Sequence, residues 1–331
     1  MPRLGANYLR LLREFRGWDL VQFYEEHDRL FKEAEHTKDY LKVTEHYYEL
    51  MTSVIESYFG ASFHFSPPEH SKQSHEEALK NLHIRIARML LHSPGKVMLD
   101  VGCGVGQAML DVAAYSGGKV VGITLSQSEI EAGRSLVLQS KLQHLVTFVQ
   151  GDFLAMPFED ETFDSAYAIY SLKYFVDLSP AFRSLYRVLK TGGLFLVYDI
   201  VKTEKYESGN PESTDLVDRF EYYCGMPPLH TNKEMIDVAG QMGFECISQM
   251  DLSKDYPWYY CFIESPFFYW LISSRVIAAC VLIGERLRLL PRGFKRFNDI
   301  FLSGTVRAIV EAGRADILSG SNILIFQKPH R

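Results

Sequence analysis

The chain has 331 residues, 47% of them apolar, with 35 Lys and Arg against 41 Asp and Glu and a formal net charge of −6. That length is long for one core and short for three, and the apolar content is that of a globular protein. The acidic balance argues against a nucleic-acid partner, whose phosphates need clustered Lys and Arg. The five cysteines, at 103, 224, 246, 261 and 280, are odd in number and lack CxxC or Cys/His spacing, so they indicate neither a disulfide framework nor a metal site and fit a reducing compartment.

Helices open the chain. The first segment breaks its apolar residues, Leu9, Leu12 and Phe15 among them, with Arg10, Arg13 and Arg16, unlike the continuous apolar core of a secretory signal. Residues 37–58 carry apolar and aromatic side chains at helical spacing, and Ser74 with Glu77 forms a capping box ahead of a helix running to about Leu91. Strands at 96–102, 119–124, 146–151, 163–170 and 193–200 then alternate with helices at 105–115, 127–139 and 180–190. Ser126 with Glu129 and Thr231 with Glu234 cap further helices, Ser179 followed by Pro180 starts another, and the last strands begin at Phe244 and Asn322. Such alternation predicts an α/β fold: a mostly parallel sheet with helices on both faces and ligands at the carboxyl ends of its strands.

The apolar run of the first strand leads into VGCGVG, with Asp100 before glycines at 102, 104 and 106. Glycine tolerates positive φ, so the chain can turn sharply and leave bare backbone against a ligand. A dinucleotide fold would place an acid at the end of the second strand, but this strand ends with Thr124, Ser126 and Gln127. The four segments LDVGCGVG, GITLSQSEIEAGR, GDFLAMPFEDETFD and LYRVLKTGGLFLVYD resemble, in order and spacing, the core motifs of class I S-adenosylmethionine (SAM) methyltransferases.

This resemblance implies a Rossmann-like seven-stranded sheet with N-terminal helices and a large helical insertion before the last strand. Its parts are an N-terminal helical region at 1–92, a SAM-binding core at 93–252, a helical lid or membrane-surface insertion at 253–318 and a final strand at 319–331. It implies SAM as cofactor and no metal, with Asp100, Gly102, Gly104 and Gly106 at the methionine part, Thr124, Ser126 and Gln127 near the ribose, and Asp152 and Phe153 beside the adenine.

Residues 45–68 resemble the signature that sterol 24-C-methyltransferases carry ahead of the SAM domain, matching at Tyr47, Tyr48, Leu50, Thr52, Glu56, Gly60, Ser62, Phe63, His64 and Phe65. VYDIVKTEKYESGNPE and DYPWYY resemble later segments of that family. Its usual AIEATCHAPD is here AIYSLKYFVD, so Tyr170, Ser171, Lys173 and Tyr174 replace an acid, a cysteine and a histidine. The resemblance implies a sterol substrate, with the methyl delivered to a changed position.

Methylation at carbon 24 creates a carbocation that aromatic faces stabilise, for which Tyr47, Tyr48, Tyr58, Phe59, Phe63, Tyr222, Tyr223 and Trp258 are candidates. Methylation at carbon 4 requires a neighbouring 3-ketone to enolise, which calls for a base and an oxyanion partner. Glu56, His64, Asp199 and Glu221 are candidate bases, and Tyr170, Lys173 and Tyr174 candidate donors to the oxygen. A diverged branch of the family acts at carbon 4, and the altered acceptor segment points there. Carbon 24, a phospholipid-base or fatty-acyl acceptor and a non-catalytic lipid-binding role are the alternatives. Residues 265–284 form an apolar stretch with Arg275 as the sole charge, followed by Arg286, Arg288, Arg292, Lys295 and Arg296. A lid or a surface-lying membrane contact through 265–296, rather than a span, is the expectation, together with a cytoplasmic location on the endoplasmic reticulum membrane.

Overall fold

The computed structural model describes residues 15, 17–59 and 64–330. Leu9, Leu12, Gly60, Ser62, Phe63 and the side chains of Tyr58 and Phe59 lie outside the described residues. The chain divides into two compact units: a helical one from Met1–Phe63, Glu204–Leu229 and Tyr259–Leu318, and a sheet unit from His64–Thr203, His230–Trp258 and Ser319–Arg331.

In the sheet unit, helix α3 (His75–Met89) follows α1 (Leu20–Thr37) and α2 (Leu41–Phe59) of the helical unit in the chain. It is started by a complete capping box of Ser74 and Glu77, as its sequence predicts. Strand β1 (Val97–Val101) then opens a succession of α4 (Gln107–Ser116), β2 (Lys119–Thr124), α5 (Gln127–Ser140), β3 (Val146–Gln150), β4 (Phe163–Ile169), α6 (Ser179–Val188) and β5 (Leu189–Lys202). The sheet closes with α8 (Asn232–Gln241), β6 (Glu245–Asp251) and β7 (Leu318–Gln327), in the strand order β3-β2-β1-β4-β5-β7-β6. This is the seven-stranded class I methyltransferase sheet. β1 to β5 are parallel and β6 pairs antiparallel to β7. Parallel strands are covered on both faces, which is why Met98, Leu99, Ala166, Phe195, Leu196 and Val197 are fully buried.

Two local expectations shift. α6 has Leu178 rather than Ser179 as its N-terminal cap, because the Asp177 carboxylate takes the Ser179 N–H at 2.9 Å. β5 begins at Leu189, directly after α6 and ahead of the expected strand start at Gly193, because its N-terminal residues pair with the segment after β7: Gly192 N–H donates to the Lys328 carbonyl at 2.8 Å.

The helical unit also holds α7 (Pro211–Tyr223), α9 (Tyr260–Ile263), α10 (Pro266–Ser273), α11 (Arg275–Arg286), α12 (Phe294–Phe297) and α13 (Ser303–Arg314). Its interior is a ring cluster: Phe23 meets Phe297 and Phe301 at 5.7 and 5.3 Å, and Phe15 meets Phe297 at 5.1 Å. His27 lies inside, its Nε2 2.8 Å from the Tyr222 carbonyl, and burial pushes it down to about 4, so it is neutral at pH 7. No helix among the described residues is long and apolar enough to cross a membrane. The apolar stretch is broken at Ser274, whose hydroxyl caps α11, and α10 and α11 bend there by 56°.

Candidate active site

β1 and β4 lie side by side while the chain leaves β1 toward β2 on its other edge, so a crevice opens between their carboxyl ends. The glycine turn sits there, with Gly102, Gly104 and Gly106 at φ +74, +53 and +80. A Cβ on Gly102 would lie 2.6 Å from Ser171 Cβ, and one on Gly106 2.5 Å from the Phe148 ring. Those two glycines permit close packing. A Cβ on Gly104 would meet nothing within 4 Å, so Gly104 alone borders open space. α4 begins at Gln107, and its first N–H groups and dipole make that space suited to a carboxylate.

Asp100, one residue from the end of β1, is 2% exposed and accepts the Tyr167 hydroxyl at 2.7 Å. Burial pushes its carboxyl up to about 7, against that hydrogen bond. Asp100 therefore titrates near neutrality, where an adjacent cation would ionise it.

At the end of β2, Ser126 caps α5 by accepting the Glu129 N–H at 3.2 Å. The Glu129 carboxylate does not return to Ser126; it takes the Thr124 hydroxyl at 2.6 Å. An acid thus stands at the second strand's end after all, supplied by a helix turn instead of the strand. Such a carboxylate can accept ribose hydroxyls, a role sequence reasoning missed although Glu129 was recognised as a capping residue. Gln127 points along the exposed face of α5 to Glu131 at 3.0 Å. Asp152 is exposed and accepts the Leu154 N–H at 2.8 Å, which shapes the turn after β3. Phe153 is buried in the core, its ring centre 5.5 Å from that of Phe175 in an edge-to-face arrangement, whereas Leu125 and Leu154, 63% and 39% exposed, are the apolar surfaces these turns leave for a purine. An open cradle at Gly104, carboxylates at 100 and 129 and uncovered apolar side chains at 125 and 154 fit SAM, a sulfonium bearing an amino acid and an adenosine.

A second constellation follows β4. Tyr170 has φ +53, rare for a residue with a side chain, and is 5% exposed. Its hydroxyl donates to the Gly320 carbonyl at 2.5 Å. Trp258 packs on Gly320 so closely that a Cβ there would lie 2.3 Å from the indole. The Lys173 ammonium donates to the Tyr170 carbonyl and lies 4.6 and 4.4 Å from the Tyr170 and Tyr174 rings, in a residue 2% exposed. Asp199 accepts the Lys173 N–H at 3.1 Å; burial raises its pKa while Lys173 and backbone N–H groups oppose. His64 joins this group, its ring 6.1 Å from Tyr170, and Phe65 lies 6.1 Å from Tyr170 and 5.7 Å from Trp258.

Of the seven residues read as candidate bases or oxyanion donors, five, His64, Tyr170, Lys173, Tyr174 and Asp199, are thus brought together in the sheet unit. Glu56 and Glu221 belong to the helical unit. Glu56 is exposed on α2. Glu221 is buried and accepts the Leu229 N–H at 2.7 Å. Tyr47 is a buried ring at 5.2 Å from Tyr48, and the Tyr222 hydroxyl bonds Asp28. No group of three or more His, Cys, Asp or Glu among the described residues is arranged to hold a metal ion.

Comparison with known proteins accords with this geometry. Residues 99–197 match the methyltransferase domain family. Over 328 residues, 98% of both chains, the sequence is 46% identical to the sterol 4-C-methyltransferase strm-1 of Caenorhabditis elegans. It is 33% identical to 24-methylenesterol C-methyltransferase 2 of Oryza sativa subsp. japonica over 285 residues, 86% of this chain and 77% of that one. The crystal structure of the [4+2]-cyclase SpnF superposes with a TM-score of 0.63 at 26% identity, covering 86% of this chain and 94% of that one. The chain belongs to the sterol C-methyltransferases, enzymes that transfer a methyl group from SAM to a sterol carbon.

Proposed function

We propose that this enzyme methylates carbon 4 of a 3-keto sterol nucleus. The observation that carries the reading is the ammonium of Lys173, buried between the Tyr170 and Tyr174 rings at the carboxyl end of β4. A cation held away from water stabilises negative charge that develops nearby and repels positive charge. Enolisation of a 3-ketone develops an oxyanion; alkene attack at carbon 24 develops a carbocation. The first route gains from Lys173 and the second is opposed by it. The relative named a sterol 4-C-methyltransferase supports the same choice. Carbon 24 is the second reading, favoured by the aromatic side chains of Phe65, Tyr170, Tyr198 and Trp258 gathered in the sheet unit. Incubation with labelled SAM and a panel of 3-keto sterols and side-chain alkenes, followed by mass spectrometry of the products, decides between them. A methyl at carbon 24 overturns the assignment.

Sterols partition into bilayers, and the helical unit carries a surface suited to one. Phe267, Trp270, Val276, Ile283, Leu287 and Leu289 are each more than half exposed on and just after α10 and α11. Neither helix, of 8 and 12 residues, reaches across a hydrocarbon core of about 30 Å. Lys295 and Arg296 are already paired, with Asp299 and Asp28, which leaves Arg275, Arg286, Arg288 and Arg292 to meet anionic headgroups at about 1 kcal/mol each. The helix pair lies in the membrane interface, and the enzyme works from the cytoplasmic face of the endoplasmic reticulum. Wild type floating with anionic but not zwitterionic liposomes, and loss of flotation in the double variant Phe267→Glu, Trp270→Glu, are the expected results. Equal flotation of both proteins overturns the contact.

A further inference from the structure

The His64 imidazole is one end of a buried chain. Its Nε2 lies 2.9 Å from Nε2 of His83, which is fully buried on α3, and His83 Nδ1 lies 2.6 Å from the Asp111 carboxylate on α4. Asp111 also accepts Gln107 Nε2 at 3.3 Å. It is the outer end, 15% exposed.

The order of donors follows from the chemistry of the last member. A carboxylate can only accept, so His83 Nδ1 carries the proton and His83 Nε2 the lone pair. That lone pair must receive a proton from His64 Nε2. His64 Nδ1 is then the nitrogen left with a lone pair, on the imidazole that stands beside Tyr170 and Tyr198 at 6.1 and 6.5 Å. Two histidines and a carboxylate thereby fix the tautomer of the innermost ring, a device that orients a general base.

We propose that His64 is the base that enolises the 3-keto sterol, with His83 and Asp111 as positioning residues that set its tautomer and carry the proton away. The inference rests on the carbon-4 reading. In the step, the C4–H bond breaks, the proton goes to His64 Nδ1, and the electron pair forms the enolate whose oxygen faces the field of Lys173. The nucleophilic carbon then takes the methyl from the sulfonium of SAM, whose S–CH3 electron pair stays on sulfur. The excess proton leaves by transfer from His64 Nε2 to His83 Nε2 and from His83 Nδ1 to Asp111, which releases it to solvent at its 15% exposed side chain. Both imidazoles are then in the opposite tautomer and return to the starting one by proton exchange before the next turnover.

The surroundings keep the base neutral. Burial is the largest influence and pushes His64 well below its ordinary value, and the nearby His83, His75 and Lys173 push the same way. Tyr170 and Tyr198 supply uncharged ring faces, and Asp111 is screened from His64 by the His83 ring between them.

The test separates base from scaffold by following carbon 4 without the methyl donor. The full chain is incubated in water with 5α-cholestan-3-one deuterated at carbon 4, and loss of deuterium is read by mass spectrometry. Wild type should accelerate the loss, His64→Gln should lower it about 10²-fold or more, and His83→Gln should approach the same loss. Asp111→Asn, at the exposed end, should give a smaller loss and an altered pH profile. SAM affinity by calorimetry should stay within about threefold in all three, since none of their side chains comes within 4 Å of a Cβ placed on Gly104. Should His64→Gln or His83→Gln fold poorly, Asp111→Asn and the wild-type profile carry the test: wild-type exchange must fall toward acid pH as His64 is protonated. Wild-type exchange and carbon-4 methylation in His64→Gln, or exchange by wild type that does not fall toward acid pH, overturns the relay and leaves the carbon-4 reading intact. Wild type that exchanges nothing and methylates carbon 24 overturns the reading and the base together.

Discussion

The sheet unit and the helical unit hold their chemistry in different ways. In the sheet unit the strand ends impose function on the backbone: three glycines at positive φ, a carboxylate one residue from the end of β1 and a helix start all follow within a few residues of one another. In the helical unit the interior is built from rings that are remote in sequence, such as Phe23 on α1 against Phe301 just before α13. A backbone turn constrains few residue types, whereas an aromatic cluster accepts many. Damage to the first should therefore erase one function at a time, and damage to the second should spread into stability.

Gly104→Val is the hardest blow to the sheet unit. The glycine has φ +53, and its missing side chain faces open space, so a valine is strained and also fills the cradle. SAM affinity should fall at least about 100-fold, or about 2.7 kcal/mol. Gly106→Ala is the control: its methyl meets the Phe148 ring at 2.5 Å, so the melting temperature should drop as well. Calorimetry that finds unchanged SAM affinity in Gly104→Val removes the cradle from the site.

Lys173→Met should lower turnover about 100-fold while SAM affinity stays within about threefold, because the ammonium serves the developing oxyanion and not the donor. Since Asp199 would lose its cationic neighbour, its protonation should rise and no new buried charge result. Equal turnover of Lys173→Met and wild type on a 3-keto sterol breaks the link between the buried cation and regiochemistry.

What was legible in the sequence divides along the same line. The glycine turn, the capping boxes at Ser74 and Thr231 and the alternation of strands and helices could be read because each is a local pattern with a backbone cause. Glu129 was seen only as a capping partner, since its turn toward Thr124 depends on the geometry of the strand end. His83 and Asp111 gave no signal at all. His83 meets His64 across 19 residues of chain and Asp111 meets His83 across 28, and a lone buried histidine on a helix looks like any core residue. The break at Ser274 had a signal in its N-capping serine, hidden by the uniform apolarity around it.

A gentler probe of the sheet unit uses pH. Asp100 has a carboxyl pushed up to about 7 by burial, so it is mostly protonated at pH 6 and mostly ionised at pH 8. A bound sulfonium and ammonium favour the ionised form, so binding expels the proton at acid pH and SAM affinity rises with pH through that range. The rise should approach about tenfold between pH 6 and 8 in wild type and vanish in Asp100→Asn. A profile of the same slope in both proteins would assign the pH dependence elsewhere.

The smallest effect is expected where a carboxylate serves the backbone of the helical unit. Glu221 was a candidate base, but its Oε1 accepts the Leu229 N–H at 2.7 Å, and the Met226 N–H returns to the Glu221 carbonyl at 2.9 Å. The side chain thus closes the loop after α7, which also contains Gly225 at φ +58 against Tyr47. Such a bracket needs an acceptor, not a proton carrier, and glutamine supplies one. Glu221→Gln should keep turnover within about threefold of wild type, whereas Glu221→Ala leaves a buried N–H unpaired and should cost about 1–3 kcal/mol of stability. Loss of turnover in Glu221→Gln at an unchanged melting temperature would move a catalytic group into the helical unit and end the division of labour between the two.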